Sequence, residues 1–128
     1  MSISPWAASA VVPSPDGAKT ARIADGHEVA MGAPTCGTLL LSTGLRVDAC
    51  NPSMVWSDDS RFLAVPRWTW SRDQELVIID TATGATRVVG EIYRVLELQS
   101  FRGGIVEGVD SPIHQPRRIS IDVMKLAW

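Results

Sequence analysis

Short apolar runs alternate with polar turn residues along the whole chain, and this pattern predicts an all-β fold. No window longer than about two turns keeps the spacing of an amphipathic helix. Gly, Pro, Asp and Ser instead interrupt the apolar runs at strand-like intervals. The pattern predicts strands at 38–41, 45–49, 61–66, 75–80, 85–89, 92–98, 105–109 and 118–126.

Two short turns predict the pairing of neighbouring strands. Asp25-Gly26 suits the positive φ values of a two-residue hairpin, which would pair Ile23 with Glu28. The segment 42–44, Ser-Thr-Gly, matches a three-residue loop with glycine at the left-handed position. It would join strand 38–41 to strand 45–49.

The second hairpin also predicts where the two cysteines lie. If Leu41 faces Leu45, the same register places Cys36 opposite Cys50. In an oxidising compartment the two thiols could form a disulfide, whereas a cytosolic chain more often keeps them reduced. The other interpretation is a pair of small buried thiols, and the sequence leaves both open.

The segment 55–65, Val-Trp-Ser-Asp-Asp-Ser-Arg-Phe-Leu-Ala-Val, has fainter copies on both sides. The aligned serines are Ser14, Ser57 and Ser100, spaced 43 positions apart in both intervals. The 128 residues are enough for an independent core without metal or disulfide. We therefore expect a single domain over 1–128, built of units of about 43 residues. These units start near three apolar residues: Val12, Val55 and Leu98.

The first two copies resemble the Ser-Pro-Asp-Gly turns of β-propeller blades, and the third is degenerate. The period is also that of one four-stranded blade. The resemblance indicates a type of repeat and no specific family. It implies an incomplete β-propeller-like array of antiparallel sheets, because fewer than three units are present and a closed ring uses about four to eight. A β-sandwich is the alternative, since strand periodicity is common to both architectures.

Charge and hydropathy argue against two classes of partner. The net charge of −2 gives no general attraction to nucleic acid or to anionic lipid. No apolar stretch approaches the roughly 18 residues of a membrane span. The first twelve residues lack a basic segment, and Pro5 and Trp6 interrupt their apolar run, so a secretory signal fits poorly. We expect a cytoplasmic protein.

Motifs that carry catalysis or bind a cofactor are missing from the sequence. Asp58 and Asp59 are adjacent and are better explained as turn formers than as an acid–base pair. His27 and His114 are the only histidines and neither belongs to a metal-ligand spacing. The sequence therefore predicts a protein that is not an enzyme and that has no metal or cofactor.

Two of the five tryptophans stand in a polar segment between two apolar strands. Trp68 and Trp70 are two positions apart, which would place both indoles on one face of an extended segment. Tryptophan and arginine are enriched among residues that dominate interface energy. We therefore expect the partner-binding surface to comprise Arg67, Trp68, Trp70, Arg72 and Asp73. The alternative is that the indoles fold back onto the sheet.

Three classes of function remain open. The first is a non-enzymatic module that binds a protein partner, most concretely a toxin-neutralising immunity protein, because such proteins are often short, acidic and free of catalytic motifs. The second is a half-propeller that forms a homo-oligomer and binds a small ligand or glycan at the junction. The third is an enzyme whose site is assembled from distant residues. The fold alone does not decide among them.

Overall fold

The computed structural model describes residues 2–28 and 30–126, and within them the chain is all-β and antiparallel. This confirms the predicted fold class. The elements are β1 (Ala10–Pro13), β2 (Thr20–Ile23), β3 (His27–Glu28), β4 (Thr35–Leu41), β5 (Arg46–Cys50), β6 (Val55–Trp56), β7 (Phe62–Trp68), β8 (Gln74–Asp80), β9 (Thr86–Tyr93), β10 (Leu96–Arg102), β11 (Ile105–Asp110), β12 (Arg117–Asp122) and the 3-10 turn η1 (Val123–Lys125).

The strands form three successive antiparallel meanders. The first meander contains β1, β2, β4 and β5, with β3 paired to β4; the second contains β6 to β9; the third contains β10 to β12. The first two belong to one curled sheet, because Cys50 in β5 pairs with Arg67 in β7. The third is a separate sheet. The likeness of the meanders to propeller blades stays a prediction.

The second meander lies between the other two, and its strands β7 and β8 bury both of their faces. Side chains alternate between the faces of a strand, so Leu63 and Ile79 belong to a core shared with the first meander. Ala64 and Ile78 belong to a core shared with the third. All four are fully buried. This explains why the apolar run of β8 is continuous rather than alternating.

The turns that contain Ser14 and Ser57 have the same hydrogen bonds. The Ser14 hydroxyl donates to Asp16 Oδ1 at 2.6 Å, and the Ser57 hydroxyl donates to Asp59 Oδ1 at 2.5 Å. Each serine Oγ also accepts from the backbone N–H five residues further on. Ser100 instead lies inside β10, next to a register shift against β11. The third copy of the sequence pattern therefore forms no such turn.

The predicted hairpin at Asp25-Gly26 is wrong. Ile23 pairs with Leu39 in β4, and Glu28 pairs with Thr35 in the same strand. Gly26 is needed for a different reason than a hairpin turn, because a Cβ there would collide with the carbonyl oxygen of Ala8. Close approach of two backbones, and not a positive φ, selects glycine at this position.

The hairpin around Gly44 is confirmed, with the predicted register at its turn. The Leu41 N–H donates to the Leu45 carbonyl at 2.9 Å, and Leu39 pairs with Val47. Gly44 has a φ of 100°. The glycine therefore occupies the left-handed position for which the sequence selected it.

Further from that turn, the predicted position of the cysteines is wrong by one residue. A register shift follows Leu39, so that Cys50 lies opposite Gly37, and Cys36 pairs with His27 of β3. Ala49, with a φ of 60°, lies at this irregularity. An extra residue in one strand of a pair displaces all later partners. Both cysteines are free thiols, Cys50 buried and Cys36 half-buried.

Changing Ser57 to alanine should destabilise the fold, because it removes the hydroxyl that both donates to Asp59 and accepts a backbone N–H. We expect Ser57→Ala to lower the free energy of unfolding by about 1–2 kcal/mol in urea titrations. Ser100→Ala is the matched control, since the Ser100 side chain forms no hydrogen bond within the described residues. It should change stability by less than about 0.5 kcal/mol. Equal losses would contradict this account.

The stabilising effect of the Ser57 hydroxyl should depend on pH. The Ser57 hydroxyl, followed by the Arg61 backbone N–H, holds the pKa of Asp59 below its usual value. A lowered folded-state pKa stabilises the protein above about pH 4, and this contribution is lost as the pH falls through the folded-state pKa. The stability gap between wild type and Ser57→Ala should therefore narrow between about pH 5 and pH 2. A constant gap would show that the carboxylate has no part in the effect.

The two cysteines should differ in reactivity. Burial raises the pKa of the Cys50 thiol to about 12, and only the thiolate attacks a disulfide reagent. In the folded protein at about pH 8 we expect a chromogenic disulfide reagent to label Cys36 and to leave Cys50 unlabelled. Unfolding in guanidinium should release 2 reactive thiols per chain. Detection of no thiol in the unfolded chain would show that the two residues form a disulfide.

Candidate protein-binding surface

Three long connections come together at one end of the molecule. They are 24–34 between β2 and β4, 69–73 between β7 and β8, and 111–116 between β11 and β12. The first two connections join the middle strands of their meanders, and the third joins the last two strands of its meander. One groove is lined by residues of the first two connections together with Arg94 and Val95. A second groove is lined by the same Arg94 and Val95 with residues of the first and third connections. We call this end the loop face.

Each of the three connections exposes a large apolar side chain. Met31 is 99% exposed, Trp70 is 104% exposed and Ile113 is 65% exposed. Large apolar side chains exposed together at one end of a molecule mark a site of interaction more often than single exposed residues scattered over a surface do. The three side chains are therefore the central observation about the loop face.

Two indole N–H groups hold the 30–35 segment in place through hydrogen bonds to its backbone. The Trp6 indole N–H donates to the Gly32 carbonyl at 3.0 Å, and the Trp68 indole N–H donates to the Thr35 carbonyl at 3.0 Å. The amide of buried Asn51 also donates to the Thr35 carbonyl, at 2.9 Å. These bonds fix the backbone on which Met31 stands. Hydrogen bonds within the chain therefore hold the 30–35 segment.

The Trp70 turn is held by its own backbone. The Thr69 N–H donates to the Asp73 carbonyl at 2.9 Å, and the Arg72 N–H donates to the Thr69 carbonyl at 3.1 Å. Arg72 has a φ of 63°, a left-handed conformation that residues other than glycine rarely adopt. Trp70 extends from the outside of this turn and the turn keeps its shape without it.

The structure separates the five residues predicted to bind a partner. Arg67 forms an ion pair with Glu75 on the neighbouring strand, with contacts of 2.7 and 2.9 Å. Trp68 is half-buried and Trp70 is fully exposed. The prediction that both indoles share one extended face is wrong, because β7 ends at Trp68 and the chain turns there.

The remaining two predicted residues, Arg72 and Asp73, line the first groove beside Trp68. Sequence reasoning missed Met31, Ile113 and Arg94. The spacing contains a signal for one of them, since Ile113 lies 43 positions after Trp70. Met31 and Arg94 had no local motif that could have identified them.

Other groups considered in the sequence are engaged in the fold. Asp59 is bound by Ser57, and Asp58 Oδ2 accepts from the Gly103 N–H at 3.3 Å. His27 is exposed in β3 and His114 is exposed in the third connection. In residues 2–28 and 30–126, no group of three or more His, Cys, Asp or Glu residues is placed to hold a metal ion. No helix in the same residues has the length and apolar character needed to cross a membrane.

A separate groove of about 390 Å³ runs along the first strands of the three meanders. Val12, Met54 and Phe101 contribute apolar wall, and Asp58 and Arg102 contribute charge. Because Asp58 already accepts a backbone N–H, part of this polar capacity is used by the fold itself. We call this groove the axial groove.

Comparison with known proteins adds no assignment. No family model, no curated protein and no solved structure matches this chain. The geometry of the loop face and of the axial groove is therefore the basis for assigning a function.

Proposed function

We propose that the protein is a non-enzymatic binding module that holds a protein partner on its loop face. The observation that carries this proposal is the exposure of Met31, Trp70 and Ile113 on three connections that lie together. Partly buried Trp6 and Trp68 support these connections from beneath. A surface of this composition binds by covering apolar area, and tryptophan is prominent among residues that dominate such interfaces.

Pre-formation of the loop face favours tight binding. Ordering a mobile loop on association costs free energy, and a loop already held in place avoids that cost. Hydrogen bonds to the Gly32 and Thr35 carbonyls hold the 30–35 segment, and backbone hydrogen bonds between Thr69 and Asp73 hold the Trp70 turn. Trp70 therefore offers a large area with few rotatable bonds.

A toxin-neutralising immunity protein is the most concrete form of this function. Such a protein needs a surface that blocks an effector and needs no catalytic group of its own. The loop face provides the surface, and the carboxylates considered for catalysis are bound within turns. Under this form, co-production with the cognate effector protects cells, and the Trp70→Ala variant protects them less.

Binding of a small ligand or glycan in the axial groove is the second candidate. It is favoured by the mixed apolar and charged lining of that groove. It ranks below protein binding because the groove is open and its Asp58 is engaged by the Gly103 N–H. Trp70, the most exposed of the tryptophans in residues 2–28 and 30–126, is also absent from its lining.

Affinity capture with matched baits tests the proposal. The baits are wild type, Trp70→Ala, and the triple variant Met31→Ser, Trp70→Ala, Ile113→Ser. We expect a partner to be retained by wild type, to be bound at least about tenfold more weakly by Trp70→Ala, and to be lost by the triple variant. Its affinity for each bait is then measured with the purified partner by calorimetry.

Met124→Ser is the control, because Met124 is 76% exposed in η1, beside Gly104 at the opposite end of the molecule. This variant should bind like wild type. Equal binding by wild type and by the triple variant would exclude the loop face. Circular dichroism and urea unfolding must show that all baits fold, which we expect because the changed side chains are exposed.

A further inference from the structure

The groove between the Met31 and Trp70 connections combines apolar walls with two cationic side chains. Pro34, Trp68 and Val95 form the walls, and Arg72 and Arg94 stand at the sides. Asp73 also lines the groove, but it forms no ion pair with either arginine. An open groove with this lining accepts a group that is negatively charged at one end and apolar beside it.

The guanidinium groups of Arg72 and Arg94 form no ion pair that holds the described part of the fold together. Within the described residues, no carboxylate lies within ion-pair distance of Arg72 or Arg94. The neighbouring Arg67, by contrast, is engaged by Glu75 at 2.7 Å. The guanidinium groups at the groove therefore keep their hydrogen-bond donors for another molecule. Guanidinium recognises carboxylates through paired donors, which gives direction as well as attraction.

The backbone holds both arginines in position. The Arg94 and Val95 N–H groups donate to Asp110 Oδ1 at 3.0 and 3.2 Å, and Arg117 contacts the other oxygen of the same buried carboxylate at 3.4 Å. Arg72 is fixed by its turn, in the left-handed region at a φ of 63°. Glycine would occupy that region without strain. Replacing Arg72 with glycine should therefore relieve backbone strain and not destabilise the fold.

Resting on the proposed function, we propose that this groove binds a carboxylate-bearing segment of the protein partner, in which an Asp or Glu side chain lies next to an apolar residue. The carboxylate meets Arg72 and Arg94, and the apolar neighbour packs on Trp68 and Pro34. The two unpaired guanidinium groups attract a negatively charged segment more strongly than a neutral one.

A peptide titration of the isotope-labelled full chain tests this assignment. The probes are Ac-Gly-Glu-Leu-Glu-Gly-NH2 and its isostere Ac-Gly-Gln-Leu-Gln-Gly-NH2. We expect the Glu peptide to shift the Nε–H signals of Arg72 and Arg94 and the Trp68 indole signal, with a Kd at least about tenfold lower than that of the Gln peptide. Binding should weaken as salt rises from about 0.02 M to about 0.5 M.

Three variants separate binding from folding. Arg72→Gly should unfold at the same or a higher urea concentration than wild type and yet lose the response to the Glu peptide, because glycine relieves the backbone strain. Arg94→Gln should also lose the response. Arg118→Gln removes an exposed arginine on the third meander and should respond like wild type.

Several results would overturn the assignment. They are equal binding of the two peptides, no response to either peptide, a full response in Arg72→Gly or Arg94→Gln, and an equal response to inorganic phosphate at the same concentration. The proposed function is tested separately. Capture that depends on Trp70 and not on Arg72 or Arg94 leaves the function standing and removes the acidic-segment assignment. Capture independent of Met31, Trp70 and Ile113 removes the function itself.

Discussion

Burial of both faces of β7 and β8 is the constraint on which the rest of the structure depends. The four residues Leu76–Ile79 are fully buried in succession, two toward each core. Covering one such side chain contributes about 1.5–3 kcal/mol, so this strand is stable only while both neighbouring meanders cover it. Asp80 ends the apolar run, where its carboxylate meets the Arg61 guanidinium at 2.9 Å. The order of the three layers follows from this one strand.

Stacking the meanders in this way also determines what each end of the molecule is made of. The turns at Ser14, Ser57 and Asp80 satisfy their own polar groups with side-chain and backbone hydrogen bonds. The longer connections between β2 and β4, β7 and β8, and β11 and β12 lie together on the loop face, and their most exposed side chains are apolar. A protein that needed only to fold would gain nothing from Trp70 in water. Met124 is 76% exposed at the other end, but Met31 and Trp70 are more exposed still, and this difference is the physical basis for assigning function to the loop face.

The sequence predicted those features that depend on local chemistry. The Gly44 turn and the adjacent register followed from one glycine that must adopt a positive φ. The same register does not extend to Cys50, which pairs with Gly37 and not with Cys36. The irregularity at Ala49 that shifts the pairing has no sequence signature as clear as a glycine. Gly26 looked like a hairpin residue but serves the close approach of the Ala8 carbonyl, a contact distant in sequence.

The candidate site was predictable only in part for a similar reason. Tryptophan and arginine composition pointed to 67–73, yet composition does not state where a strand ends. Because β7 stops at Trp68, that indole turns inward to the Thr35 carbonyl while Trp70 stays outside. The connection that carries Met31 meets the Trp70 turn through tertiary structure alone. Residues on three separate connections give no short motif, so the sequence predicted Trp70, and the fold was needed to identify Met31 and Ile113 beside it.

The outer faces of the first and third meanders show why the loop face carries the binding argument. Arg22 and Glu107 lie 43 positions from Val65 and Ala64, which are fully buried in the second meander. Both charged residues are exposed, and they stand on the faces turned away from the cores. A sheet face that no neighbouring layer covers commonly carries such polar residues. These charged residues disfavour the packing of a further sheet on the outer faces. The loop face, by contrast, exposes apolar side chains on connections outside the strands. Val11 and Leu40 are also exposed beside Arg22 on the outer face of the first meander. Met31 and Trp70 on the loop face, however, are the two most exposed large apolar side chains among the described residues.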